Sequence, residues 1–270
     1  MYESDKPTMS MHVILSLLLF PSLISAAYPT AGTAETDRYW DCCKPSCGWK
    51  DKAAFDSPII SCDSKNNHLS NFDAGTGCNG GTAFLCADQS PWAVNDTFSY
   101  GFVGASLAGY VEDAWCGACY QLDFTSGDAK GKRMVVQAHN TGYDVHEANK
   151  FALAVPGGNT SYAGACALQY GVSNSVFGEE DVGLSTASQC DKLPKALQAP
   201  CHWRFDWFLD ADRPTANFTR VPCPVELTSK TGTTRDDDAT FAEQSSAQSH
   251  VHAPYLLAAF LTLLSGIVVV

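Results

Sequence analysis

The sequence predicts a mainly β domain stapled by disulfides, with loops and a few short helices. Three observations predict it. The 12 cysteines are an even number and lie behind a secretory leader, which reads as a disulfide framework. Several short runs alternate apolar and polar residues with period two. Glycine-rich breaks separate those runs, at Gly75-Thr76-Gly77, Gly80-Gly81 and Gly157-Gly158.

The leader comes first. Val13 to Ile24 is apolar and Ser25-Ala26-Ala27 supplies small residues for cleavage after Ala27, so residues 1–27 read as a signal peptide. Its n-region is weakly charged, which makes Met11 an alternative start to Met1. Tyr28 to Glu35 is a short lead of small residues. The cysteines then run from Cys42 to Cys223 without a long gap, so residues 28–228 read as one domain. Tyr120 to Thr125 and Arg133 to Ala138 have strand character. In His202 to Phe208, Trp203, Phe205 and Trp207 fall on one face of a strand and suit a core better than a groove. Ser185 to Lys192 is the best helical stretch. Periodicity does not say which barrel such strands would build.

After Leu227 the composition turns to Thr, Ser, Asp and Gln, and 229–246 reads as a solvated stalk. Tyr255 to Val270 is apolar and uncharged. A polar spacer, Gln248 to His252, and the small residues Ser245-Ser246-Ala247 precede it. This order is that of a GPI-anchor signal over 247–270, with lipid added at Ser245 or Ser246. A spanning tail is the alternative, but the run is shorter than the roughly 20 residues a span needs. Three sequons, at Asn95, Asn159 and Asn217, agree with a secreted route to the outer face of the plasma membrane or the cell wall. The net charge of −12 argues against nucleic acid and anionic lipid as partners, while a neutral polysaccharide is compatible with it. Aromatics are 11% and hydrophobics 45%, enough for a packed core in a monomer.

The chemistry concentrates in Thr36-Asp37-Arg38-Tyr39-Trp40-Asp41-Cys42-Cys43-Lys44-Pro45-Ser46-Cys47-Gly48-Trp49. Dense cysteines fix a backbone, aromatic faces bind sugar rings, and a carboxylate held among them is a candidate general base. This block resembles the signature of glycoside hydrolase family 45, the small inverting endoglucanases. Three further blocks, Cys86 to Asn95, Trp115 to Tyr120 and Trp203 to Phe208, extend the resemblance in order from Thr36 to about Asp238. It implies a six-stranded double-psi β-barrel, a barrel shared with expansins, with an open groove for β-1,4-glucan. It implies six bridges: Cys42–Cys166, Cys43–Cys78, Cys47–Cys116, Cys62–Cys86, Cys119–Cys223 and Cys190–Cys201. A further cysteine pair of the family corresponds here to Gly117 and Thr233. The competing reading of Cys116-x-x-Cys119 as a redox or zinc motif does not suit an oxidising compartment.

Inverting glycosidases use two carboxyl groups about 6.5–9.5 Å apart, one activating a water and one protonating the leaving oxygen. By resemblance Asp41 is the base. The acid position falls on Ala152, in Asn149-Lys150-Phe151-Ala152-Leu153, and a methyl group donates no proton. Upstream, Asp144 matches a family aspartate of the same groove and Glu147 is a second candidate; either replaces the acid, or Asp144 only orders substrate and Glu147 faces solvent. Tyr39, Trp40, Lys44 and Trp49 are the expected substrate-binding residues, with core packing as the other role open to Trp40. Asp88 and Asn95 are either groove or loop residues. His139 and His146 lack a third ligand at helpful spacing, and the resemblance implies no metal and no cofactor. Three functions follow: a surface-tethered endo-β-1,4-glucanase (cellulase) that keeps Asp41 and recruits another acid; a non-catalytic, expansin-like glucan-binding or wall-loosening protein; or a structural wall protein with a vestigial groove.

Overall fold

The computed structural model of the protein describes residues 30–142, 148–159 and 163–239. The expected leader, the lipid signal with Ser245 and Ser246, and Asp144, His146 and Glu147 lie outside the described residues. Seven strands form one sheet: β1 (Ala31–Tyr39), β2 (Trp92–Ala93), β3 (Phe98–Ser106), β4 (Cys119–Phe124), β5 (Arg133–Thr141), β6 (Lys150–Ala154) and β7 (Thr215–Val221). β6 pairs with β1 on one side and β3 on the other, so β3-β5-β4-β7-β1-β6 closes on itself as the six-stranded barrel expected, with β2 added outside. Closure leaves no open edge in the barrel.

Alternation decides what lies inside. Val103, Ala105, Leu122, Met134, Val136, Phe151, Leu153 and Phe218 sit at every second position of their strands and fill the barrel. The outward positions of β3 and β6, Phe102 and Ala154, join a second apolar cluster with Trp40, Cys42, Leu85 and Cys166. Three α-helices are described, α1 (Ala163–Tyr170), α2 (Lys195–Asp206) and α3 (Val225–Thr231), with several 3-10 turns. All six disulfides join the pairs that the resemblance implied. Each typically contributes about 2–4 kcal/mol, by a route that depends on the model used.

Three expectations are corrected. The segment holding Trp203, Phe205 and Trp207 is the end of α2, not a strand. The pattern W-x-F-x-W also satisfies i, i+4: Trp203 stacks on Trp207 with centroids 5.1 Å apart, and Phe205 turns elsewhere, under the Arg204 guanidinium. The Trp pair does belong to the core. The helix expected at Ser185 to Lys192 is a 3-10 segment, Ala187–Lys192, whose start is tied by Gln189 Oε1 accepting from the backbone N–H groups of Ser185 and Thr186. The domain does not end at 228. α3 continues to Thr231, and Thr231, Thr233, Arg235 and Asp238 are buried. Arg235 donates to the carbonyls of Asp113 and Cys116, and Asp238 accepts from Cys223 N–H. Polar composition misled because these charges are satisfied inside the fold.

Candidate active site

Because Phe151 and Leu153 enter the barrel, Lys150, Ala152 and Ala154 take the outer face of β6. Ala34 also enters the barrel, which puts Glu35, Asp37 and Tyr39 on the outer face of β1. The parallel register pairs Asp37 with Ala152 and Tyr39 with Ala154. Across the other edge of β6, Ala152 pairs with Gly104, and Gly104 with Asn140. Asp37, Ala152, Gly104 and Asn140 therefore make one row across four strands, with two small residues as its floor. A β-bulge between Val103 and Gly104 leaves His139 out of the ladder.

Asp41 follows directly on β1. It is 9% exposed, and its Oδ1 accepts from Cys43 N–H at 2.9 Å. Burial raises its pKa above the ordinary aspartate value, and backbone hydrogen bonds from Cys43 and Asp41 itself oppose the rise without cancelling it. A carboxylate that holds protons more firmly is a better base. Cys42 and Cys43 on its C-terminal side are both bridged, so the disulfides fix the turn that presents it.

Tyr39 is oriented by a chain of buried groups. Its hydroxyl lies 2.7 Å from His139 Nε2. His139 Nδ1 lies 3.0 Å from Gln89 Oε1, and Gln89 Nε2 donates to Ile60 O at 2.7 Å. Gln89 thus presents an acceptor, His139 carries its proton on Nδ1, and Tyr39 O–H donates to Nε2. Asn140 Nδ2 donates to the Tyr39 oxygen at 3.3 Å, and Asn140 Oδ1 accepts from Ser46 N–H at 2.8 Å. His139 is fully buried against Phe102, and burial pushes its pKa down to about 3, so the ring is neutral. Both of its nitrogens are engaged, and neither is offered to a metal.

Two expected substrate contacts change role. Trp40 is 1% exposed and belongs to the core beside the Cys42–Cys166 bridge. Lys44 is buried: its ammonium donates to the carbonyls of Phe72 and Ala74 at 2.7 and 3.0 Å and lies 3.3 Å from the centre of the Trp49 ring. It is a support under Trp49, which keeps a partly exposed face. Farther along, Ser46 Oγ donates to Thr141 Oγ1, which donates to Glu112 Oε1 at 2.6 Å, and Lys52 pairs with Glu112. Burial would raise the Glu112 pKa, but the hydrogen bonds from Lys52 and Thr141 prevail and hold it below the ordinary value.

Two hollows border this face. One of about 370 Å³ is lined by Asp37, Lys150, Asn159 and Arg213, among others. One of about 680 Å³ includes Ser106, Glu112, Trp115 and Thr141. Lys150 of the first and Ser106 of the second are paired neighbours. A larger apolar hollow of about 940 Å³ lies between Trp92 and α2, away from Asp41, and carries none of this chemistry. Of the sequons, Asn95 and Asn217 are exposed, whereas Asn159 is partly buried with Oδ1 enclosed and lines the first hollow. Asp88 is exposed. The residues that sequence reasoning missed are Gln89, Asn140 and Asp37. Gln89 and Asp37 stand inside the quoted blocks, but only tertiary pairing gives them a task.

The model of glycosyl hydrolase family 45 matches residues 31–234. A putative endoglucanase type K of Fusarium oxysporum is 45% identical over 228 residues, 84% of this chain and 59% of that protein. An endoglucanase of Cryptopygus antarcticus is 42% identical over 201 residues, 74% of this chain and 88% of that protein. The crystal structure of cellulase from that Antarctic springtail superposes with a TM-score of 0.73 at 41% identity, covering 77% of this chain and 99% of the other.

Proposed function

The chain belongs to glycosyl hydrolase family 45, and from that premise we propose that it is an endo-acting hydrolase of β-1,4-glucan with Asp41 as its general base. The observation that carries this reading is the buried carboxyl of Asp41, held in a turn that two bridged cysteines fix, two residues after the oriented phenol of Tyr39. A glucose ring stacks on Trp49, a water rests on the Asp41 carboxylate, and the water oxygen attacks the anomeric carbon from the face opposite the leaving oxygen. Asp41 takes the proton of that water. We also place the protein at the cell surface, tethered by lipid at Ser245 or Ser246; the order of small residues, spacer and apolar tail supports this. Release by phosphatidylinositol-specific phospholipase C tests the tether, and retention on the membrane argues against it.

The test of hydrolysis is the release of reducing ends from cello-oligosaccharides and swollen cellulose. Wild type is expected to release them, and Asp41→Asn to lose about 10²–10⁴-fold. Equal release by both overturns the assignment of Asp41. The Ala152 methyl favours a second reading, a glucan-binding protein without turnover. A wild type that binds cello-oligosaccharides and releases nothing until Ala152→Asp is introduced would establish that reading instead.

A further inference from the structure

An inverting site built on Asp41 needs a second carboxyl about 6.5–9.5 Å away, and position 152 holds a methyl. We propose that Asp37 is the proton donor of the reaction; this rests on the reading of Asp41 as base. The register carries the argument. Asp37 and Ala152 are paired partners on adjacent parallel strands, both on the outer face. They stand at the same height along the strands and are separated by one interstrand spacing, about 4.8 Å. A carboxyl at 37 is thus as far along the groove from Asp41 as one at 152 would be. Asp41 lies four residues after Asp37, so their Cα atoms are at most about 14 Å apart and the two carboxyls are within reach of the inverting separation. Ala152 beside Asp37 carries only a methyl, while the same face of Gly104 is covered by the Thr141–Gly142 backbone.

Among the described residues, the other carboxyls on this side serve less well. Glu112 has Oε1 taken by Thr141 Oγ1 and Oε2 by Lys52, so neither oxygen is left for a substrate. Glu35 is exposed and stands one row farther from Asp41, opposite Lys150. The Asp37 side chain is 20% exposed, and Oδ1 accepts from Arg38 N–H at 2.8 Å, which fixes its rotation. Around Oδ2 stand Lys150 Nζ at 3.6 Å and Arg213 Nε at 3.8 Å, both beyond hydrogen-bond length, so this oxygen keeps room for a proton and a substrate oxygen.

In the step itself the water oxygen bonds to the anomeric carbon while Asp41 accepts the water proton. The bond from that carbon to the leaving oxygen breaks, its electron pair stays on the oxygen, and the Asp37 carboxyl protonates it. Asp37 then regains a proton from solvent as Asp41 releases one.

The experiment compares two substrates on the full chain expressed with its disulfides. Cello-oligosaccharides need a protonated leaving group; β-cellotriosyl fluoride does not, because fluoride leaves unaided. Asp37→Asn is near-isosteric and keeps the acceptor for Arg38 N–H. It is expected to lose about 10²–10⁴-fold on cello-oligosaccharides and to hydrolyse the fluoride like wild type, whereas Asp41→Asn loses both. Full activity of Asp37→Asn on cello-oligosaccharides overturns the proposal, and so does loss of both substrates in that variant. A wild type that cleaves the fluoride but not the glucan also overturns it, while leaving Asp41 as base. A wild type that cleaves neither removes the hydrolase reading and this one with it.

Discussion

The hydroxyl of Tyr39 donates to Nε2 of His139, 100 residues later in the chain, across 2.7 Å. The bond ties the end of β1 to the bulge of β5 and fixes the face that Tyr39 turns to the groove. It exists only while His139 is neutral, since a protonated ring has no acceptor. His139 is held neutral down to about pH 3, whereas in the unfolded chain it titrates near 6.5. Between those values the unfolded state binds the extra proton, so this group makes stability fall as the pH falls, by up to about 1.4 kcal/mol per pH unit. Urea unfolding at pH 7 and pH 5 should show the slope in wild type and its reduction in His139→Gln. Tyr39→Phe strips His139 and Asn140 of a buried partner and should cost about 1–3 kcal/mol at pH 7.

Asp41 carries the opposite sign. Its folded pKa lies above the ordinary 3.8, so the folded protein takes up this proton before the unfolded chain does. The ionised form costs stability at pH values above the raised pKa, and the cost vanishes below the ordinary one. Asp41→Asn should therefore melt higher than wild type at pH 7, by about 2–4 °C for each kcal/mol relieved, with the gain disappearing toward pH 3. The same variant should lose activity, a stability–function trade expected of a strained catalytic group. In wild type the acidic limb of kcat/KM should lie above the range of a solvated aspartate, because the base must be ionised to act. An acidic limb at the ordinary position, or a lower melting temperature in Asp41→Asn, would contradict the burial argument.

What the sequence made legible is local or covalent. The resemblance carried by the block from Thr36 to Trp49 points to Asp41 as the base, and the same resemblance implies all six bridges that the structure contains. Trp40 stays ambiguous at that level because a tryptophan beside a catalytic residue serves stacking and core equally well; burial against Cys42 decides it. Trp203 and Trp207 read as strand residues because three aromatics at i, i+2 and i+4 fit both periods. Asp37 draws no attention in the linear chain, four residues before a stronger candidate. Its meaning comes from a parallel register between strands more than a hundred residues apart, which no local pattern encodes. Gln89 is equally silent until its contact with His139, 50 residues away, is known.

Lys44 and Trp49 should behave as one unit. The ammonium is pinned by two carbonyls and faces the indole, so Lys44→Met leaves those carbonyls without a donor and removes a cation–π contact worth about 0.5–2 kcal/mol. Cello-oligosaccharide affinity should fall in Lys44→Met and fall further in Trp49→Ala. The double variant should match Trp49→Ala alone, giving a coupling of about 0.5–3 kcal/mol in a binding cycle. Burial brings the Lys44 pKa down to about 8. The charge on the ring is therefore lost as the pH rises through that value, and wild-type affinity should weaken between pH 7 and 9 while that of Lys44→Met stays flat. Additive losses would mean that Lys44 does not act through Trp49.

Gly117 and Thr233 offer a test of the scaffold apart from its chemistry. A Cβ built on Gly117 lies 3.2 Å from Thr233 Cγ2, so side chains at the two positions meet. Gly117→Cys with Thr233→Cys should form a seventh bridge, seen as the absence of free thiol on titration of the unreduced protein. The gain should be smaller than the usual 2–4 kcal/mol. Cys119–Cys223 and Cys47–Cys116 already tie the neighbouring chain, which leaves only a short additional loop to close. Gly117 also has φ +78°, where a side chain costs about 1–2 kcal/mol. The single variant Gly117→Cys should therefore melt below wild type, and the double variant should recover that loss and rise modestly above it. A double variant that keeps two free thiols would mean that the turn before β4 and the segment after α3 do not meet closely enough to be bridged.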